Sequence, residues 1–249
     1  MALLSCRFKS EVLALSTSLQ AIIPDGQVPP RGHPTLYLLH GLSDDDSAWV
    51  RLTGIERHAR ARGLAVIMPQ VHRSFYADEK HGGQYWTFLT RELPELCGRI
   101  FHLSTERRDV FVAGLSMGGY GALKWALSEP MRFSAAASFS GALGLAGRTA
   151  GRYSGLDDRL WDTIFDGADV SGSPDDLLWL LGRLAPGQVP PLWVSCGTED
   201  PMLSESLDFI AAAERMGIDL VTDLGPGEHT WDYWDEQISR VVGWLPLPG

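Results

Sequence analysis

In the stretch VFVAGLSMGGYGALKWAL, Ser116 stands between two glycines as Gly114-Leu115-Ser116-Met117-Gly118. A serine hydroxyl is a weak nucleophile until a base lies within hydrogen-bond reach and a third group orients that base. The G-x-S-x-G spacing serves that chemistry where a strand ends and a helix begins. The sharp turn lifts the hydroxyl clear, next to a helix N-terminus whose free N–H groups favour negative charge. The apolar run before Ser116 and the helix-like run after it supply the setting. A side chain at Gly114 or Gly118 would collide with neighbouring backbone, and Gly119 and Gly121 are expected to let the helix pack closely on the sheet.

The base must come from elsewhere in the chain. In hydrolases built on this elbow the order is serine, then Asp or Glu, then histidine. His33, His40, His58, His72, His81 and His102 all precede Ser116; His229, in GPGEHTWDYW, is the only histidine after it. The acid belongs on a loop after an intervening strand, and WVSCGTEDPML supplies Asp200, with its neighbour Glu199 as the alternative. Asp166, Asp169, Asp175 and Asp176 read as turn or cap residues. The oxyanion formed on attack needs two backbone donors. These are expected from Met117, directly after the nucleophile, and Leu42, in the turn LLHGLSDDDSAW. His40 would then shape that turn rather than act as a base. Three consecutive acids, Asp44 to Asp46, point in different directions and have no companion ligand cluster, so they read as a solvated loop capping the next helix, and no metal is expected.

Two other motifs are decoys. The glycines at 114, 118, 119 and 121 fit no G-x-G-x-x-G dinucleotide spacing. Tyr120 and Lys124 form a Y-x-x-x-K pair, but on the glycine turn's own helix, where a surface or packing role is expected.

These residues need a scaffold. Residues 12–23 suggest an opening strand or pair of strands. Short apolar runs follow at 35–40, 64–69, 109–115, 133–141, 191–197 and 218–224, with helix-like segments at 49–62, 85–99, 118–127, 204–216 and 231–242. Unbroken apolar strands alternating with helices indicate an α/β fold, a mostly parallel sheet with helices on both faces. One domain over 1–249 is the natural reading. The polar segment 144–189, with helical hints at 156–165 and 174–184, is expected to be an insert that forms part of a cap.

A chain of 249 residues with a formal charge of −10 and no basic stripe argues against a nucleic-acid partner. Three widely spaced cysteines suggest neither a disulfide framework nor a zinc site. No signal peptide and no run of roughly 20 apolar residues is evident, so no membrane association and a cytoplasmic location are expected. Trp49, Tyr76, Trp86 and Trp231 are candidate walls of a substrate pocket.

Together, LYLLHGLSDDDSAW, VFVAGLSMGGYGALKWAL, FSGAL, CGTEDPML and GEHTWDYWDEQI resemble the putative esterase (esterase D) family of α/β-hydrolases, and most closely the small bacterial tributyrin-esterase-like enzymes. The resemblance runs from about Leu36 to Trp244. It implies Ser116, Asp200 and His229 as a catalytic triad, the Leu42 and Met117 amides as the oxyanion hole, and hydrolysis of short-chain acyl esters of small molecules without a cofactor. Relatives are often dimers or tetramers, which implies a homo-oligomer. S-formylglutathione hydrolysis and a carbohydrate acetyl or feruloyl esterase are the alternatives. S-formylglutathione hydrolases usually carry a cysteine in the loop after the His-Gly turn; SDDDSAW has none, which lowers the thioester reading.

Overall fold

In the computed structural model, which describes residues 1–147 and 158–247, the frame is an eight-stranded sheet in the order β1-β2-β4-β3-β5-β6-β7-β8. The strands are β1 (Ala2–Ser10), β2 (Leu15–Ile23), β3 (Thr35–Leu39), β4 (Ala65–Pro69), β5 (Val110–Leu115), β6 (Ala135–Phe139), β7 (Leu192–Gly197) and β8 (Val221–Gly225). β1 and β2 form an antiparallel hairpin, and β2 joins β4 antiparallel. From β4 onward every pairing is parallel. This is the α/β-hydrolase fold.

The central strands are apolar on both sides because both faces are covered. Side chains alternate across a strand: Leu36 and Leu38 of β3 and Phe111 and Ala113 of β5 face one core, while Tyr37, Leu39 and Val112 face the other. The first face is covered by α1 (Ala48–Leu52), α2 (Ile55–Ala61) and α9 (Trp231–Trp244), which bury Trp49, Ile55 and Ile238. The second carries a continuous helical run: α3 (Tyr85–Thr87), a π-helical turn at Phe88–Glu92 and α4 (Leu93–Phe101). It also carries α5 (Met117–Ser128), α7 (Leu177–Gly182) and α8 (Leu203–Arg215). α6 (Asp158–Phe165) packs Trp161 and Ile164 into the same core. No helix among the described residues is long and apolar enough to cross a membrane.

Two elements depart from expectation. The opening ribbon is a full hairpin, and β1 begins at Ala2, where no strand was expected. The exposed edge strand buries little, so its one periodic signal is Cys6 and Phe8 alternating with exposed Ser5, Arg7 and Lys9. The helix expected over 49–62 is two, broken where the Gly54 amide turns to Asp235 Oδ1 at 2.7 Å. In the polar segment, α6 and α7 occupy the two helical hints, while residues 148–157 lie outside the described residues.

Candidate active site

Ser116 joins β5 to α5 with φ 52° and ψ −119°, a backbone strained for any residue with a side chain. The surroundings hold it there. The Ser116 amide donates to Phe139 O at the end of β6 (2.9 Å), and Ser116 O accepts from the Tyr120 and Ala142 amides (each 3.1 Å). Glycine is required on either side: a Cβ at Gly114 would lie 2.3 Å from Gly118 O, and one at Gly118 would lie 2.3 Å from Leu39 O. Gly119 meets Ser138 Oγ of β6, as expected of a helix close to the sheet. Gly121 does not face the sheet; a Cβ there would enter the Tyr76 ring at 2.4 Å. Tyr76 itself is in left-handed backbone in the loop after β4.

The loops after β7 and β8 converge on this serine. His229 Nε2 lies 3.1 Å from Ser116 Oγ, and His229 Nδ1 lies 3.0 and 2.9 Å from the two Asp200 oxygens. With Nδ1–H facing a carboxylate, Nε2 is left as the acceptor for the serine proton. The Asp200 side chain is wholly buried, whereas that of His229 is 29% exposed. Burial pushes the Asp200 carboxyl up. Hydrogen bonds from His229 and the Met202 amide (2.8 Å) outweigh it, and the net shift is downward. Glu199 is turned away: its exposed carboxylate accepts the Gly227 amide (2.8 Å), while the Glu199 amide donates to Gly227 O (3.1 Å), lacing the two loops together.

The turn after β3 lies beside the serine, since a Cβ on Gly41 would come within 3.7 Å of Ser116 Cβ. Its Gly41–Leu42 peptide is clamped. The Gly41 carbonyl faces His40 Nδ1 at 2.7 Å and accepts the Asp44 amide at 3.3 Å, while the Gly41 amide donates to Asp44 Oδ2 at 3.2 Å. His40 Nε2 accepts the Val71 amide (3.2 Å), so the ring is neutral with its proton on Nδ1. Burial lowers its pKa in keeping with that form. Tyr76 Oη donates to His40 O (2.9 Å). Thus the Leu42 N–H belongs to a peptide held on its carbonyl side. The Met117 amide sits in the first turn of α5, where the helix ladder offers no acceptor.

Other residues singled out in the sequence fall at varied distances from this centre. Trp49 is fully buried between α1 and the sheet, donating Nε1–H to Leu39 O (3.1 Å), and Tyr76 is fully buried under α5; both are core residues rather than pocket walls. Trp231 stacks edge-on against Trp49 and Trp234. Trp86 borders a cavity of about 400 Å³ with Lys124, Asp78 and Asp175. The acid run is not simply solvated: Asp45 caps the turn into α1 through Ser47, but Asp44 holds Gly41 and buried Asp46 accepts from Gln20. Among the described residues no group of His, Cys, Asp and Glu is placed to hold a metal. Tyr120 and Lys124 are buried packing residues. Tyr120 Oη donates to Asp175 O (2.9 Å), and Lys124 Nζ donates to Tyr76 O (2.8 Å) and Asp175 Oδ1 (2.6 Å). Asp175 is therefore an ion-pair partner, and Asp166 pairs with His81, while Asp176 caps α7 and Asp169 holds its own turn.

A family model described as "Putative esterase" matches residues 10–245. An acetyl esterase of Caldicellulosiruptor saccharolyticus is 29% identical over 98% of both chains. Two solved structures from Staphylococcus aureus superpose over 98% of both chains. The fluorophosphonate-binding serine hydrolase F is 33% identical with a TM-score of 0.90, and an S-formylglutathione hydrolase is 34% identical with a TM-score of 0.88.

Proposed function

The chain belongs to the family described as Putative esterase, and from that premise we propose a serine carboxylesterase that hydrolyses small-molecule esters of short acyl groups, acetyl to butyryl. The observation that carries the reading is the unbroken relay from Ser116 Oγ through His229 to Asp200. In this reading His229 Nε2 takes the hydroxyl proton as Ser116 Oγ bonds to the ester carbonyl carbon. The carbonyl electron pair moves to oxygen, and the Leu42 and Met117 amides receive the oxyanion. Collapse expels the alcohol, which leaves with the proton from His229. A water then gives its proton to His229 and attacks the acyl-enzyme, releasing the acid and restoring Ser116. Asp200 keeps the imidazole in the working tautomer and stabilises its cation. The name and 29% identity of the acetyl esterase support the acyl size.

Thioester hydrolysis is the second reading, favoured by the 34% identity to a protein named as an S-formylglutathione hydrolase. A p-nitrophenyl ester series from acetate to laurate, run with wild type and Ser116→Ala, tests the first. Turnover that peaks at acetate to butyrate and vanishes in the variant is expected. A folded wild type inactive on every ester but active on S-formylglutathione would replace it with the second.

A further inference from the structure

Three features that the triad chemistry leaves unused meet at one place. They are the buried Lys124, the glycine at 121, and the loop after β4, where His72, Phe75 and Tyr76 all have φ between 47° and 51°. An aromatic residue keeps left-handed backbone only where its surroundings hold it. Here Ser74 Oγ accepts the Tyr76 amide (3.2 Å), and Lys124 Nζ donates to Tyr76 O (2.8 Å). Lys124 is itself fixed by Asp175 Oδ1 (2.6 Å) and lies 4.2 Å from the centre of the Trp86 ring.

Helix α5 receives this loop through residues three apart, which share one side of a helix. Gly118 lies against Leu39 O and His40 O, Gly121 against the Tyr76 ring, and Lys124 against the Tyr76 carbonyl. The same face therefore carries the turn after β3 and, one helical turn further on, the tyrosine whose Oη donates to His40 O at 2.9 Å. We propose that Tyr76 is a positioning residue for the oxyanion hole, fixing the His40–Gly41 peptide through its hydroxyl, and that Lys124 positions Tyr76; the inference rests on the triad and oxyanion-hole reading.

The His40–Gly41 peptide is gripped at both ends, its carbonyl by Tyr76 Oη and its N–H by Asp44 Oδ2 (3.2 Å). The next peptide presents the Leu42 N–H, and the joint between the two is Gly41, whose backbone has little stiffness of its own. His40 Nδ1 faces the Gly41 carbonyl at 2.7 Å, so a shift of the His40 backbone disturbs that second clamp as well. Burial raises the Tyr76 hydroxyl well above its ordinary pKa, so it remains a donor at neutral pH. Tyr120 provides the contrast. It is equally buried, on α5 itself, but its Oη donates to Asp175 O (2.9 Å) rather than to the oxyanion turn.

Tyr76→Phe keeps the ring and removes the hydroxyl, and Lys124→Met removes the donor to Tyr76 O. Both are assayed with p-nitrophenyl acetate beside wild type, Tyr120→Phe and Ser116→Ala, with thermal melting to verify folding. The inhibitor is an alkyl trifluoromethyl ketone, which adds to the serine as a tetrahedral oxyanion and so reads the hole directly. For Tyr76→Phe the expected result is a roughly tenfold fall in kcat with little change in KM, the order of one buried hydrogen bond. Ketone affinity falls by about the same factor. Lys124→Met acts in the same direction, and the double variant is no worse than the worse single, because both loosen one contact. Tyr120→Phe stays close to wild type on both readouts. Wild-type kcat in folded Tyr76→Phe, a fall in kcat with ketone affinity unchanged, or an equal fall in Tyr120→Phe would overturn the role of Tyr76. Effects that multiply in the double variant would overturn the link to Lys124. If Tyr76→Phe does not fold, Lys124→Met decides by the same readouts. Activity surviving in Ser116→Ala would instead remove the triad reading itself.

Discussion

Replacing Asp200 with Asn is the sharpest test of what the buried carboxylate does. Both oxygens lie near His229 Nδ1, at 3.0 and 2.9 Å, but only Oδ1 also accepts the Met202 amide. An asparagine must keep its oxygen at that position, because an NH2 there would face the amide donor. Its NH2 then occupies the Oδ2 position, 2.9 Å from Nδ1. Two donors cannot share that contact, so the imidazole moves its proton to Nε2 and turns an N–H toward Ser116. In that tautomer it cannot accept the serine proton. The same exchange in a serine protease costs about 10⁴ in kcat, and a loss of 10³ to 10⁴, about 4–5.5 kcal/mol, is expected here. The assay is p-nitrophenyl butyrate hydrolysis at neutral pH, with labelling by a fluorophosphonate. Glu199→Gln serves as the control, and its effect should stay under tenfold because Glu199 faces a backbone amide in solvent. A folded Asp200→Asn enzyme within tenfold of wild type would refute the tautomer argument. The Asp200 carboxyl sits below its ordinary pKa when folded, so its contribution to stability is present above the unfolded value and disappears as pH falls through the folded one. The variant's stability deficit should accordingly be largest near neutrality and shrink in acid.

Two further outcomes follow from the packing around α5. Gly118→Ala sets a methyl 2.3 Å from Leu39 O and 2.7 Å from His40 O, both backbone atoms next to the Gly41–Leu42 peptide, so kcat with p-nitrophenyl acetate should fall by about a hundredfold, the order expected for an ångström of misplacement. For the buried pair, Asp175→Asn strands Lys124 and should cost about 3 kcal/mol in urea melts, more than Lys124→Met, which leaves a carboxylate 26% exposed and able to rehydrate. Burial holds the Lys124 pKa below the ordinary lysine value despite Asp175, so wild type should gain stability relative to Lys124→Met as pH climbs from the folded pKa toward the unfolded one.

The fold was legible because a parallel sheet writes itself as unbroken apolar runs: TLYLL, AVIMP and VFVAGL are strands buried on every residue. Chain order then did most of the work at the site. With one histidine after the serine, and one carboxylate pair on a loop after an intervening strand, few choices remained. Geometry separates Asp200 from Glu199, since the two point to opposite sides of the β7 loop, one buried against His229 and the other in solvent. β1 was illegible for the opposite reason: an edge strand buries little, and its pattern is correspondingly faint.

The supporting residues were harder to read, because their role depends on register between elements far apart in sequence. Lys124 is a lysine on an apolar helix face, and nothing local says that Asp175, 51 residues on, will meet it. The tryptophans show the same limit. Trp49, Trp231 and Trp234 sit near the ends of strands, where pocket walls also sit, and aromatic residues serve both uses. In the fold they form a chain, with ring centroids 5.3 and 5.2 Å apart. Its two ends donate N–H groups to Leu39 O at the end of β3 and to Ser140 Oγ just after β6. Those strands flank β5 on either side, so the aromatic chain spans the two ends between which Ser116 is held. A residue type that can line a cleft is here used to fix the distance across it, which is the arrangement a strained nucleophile turn requires from its neighbours.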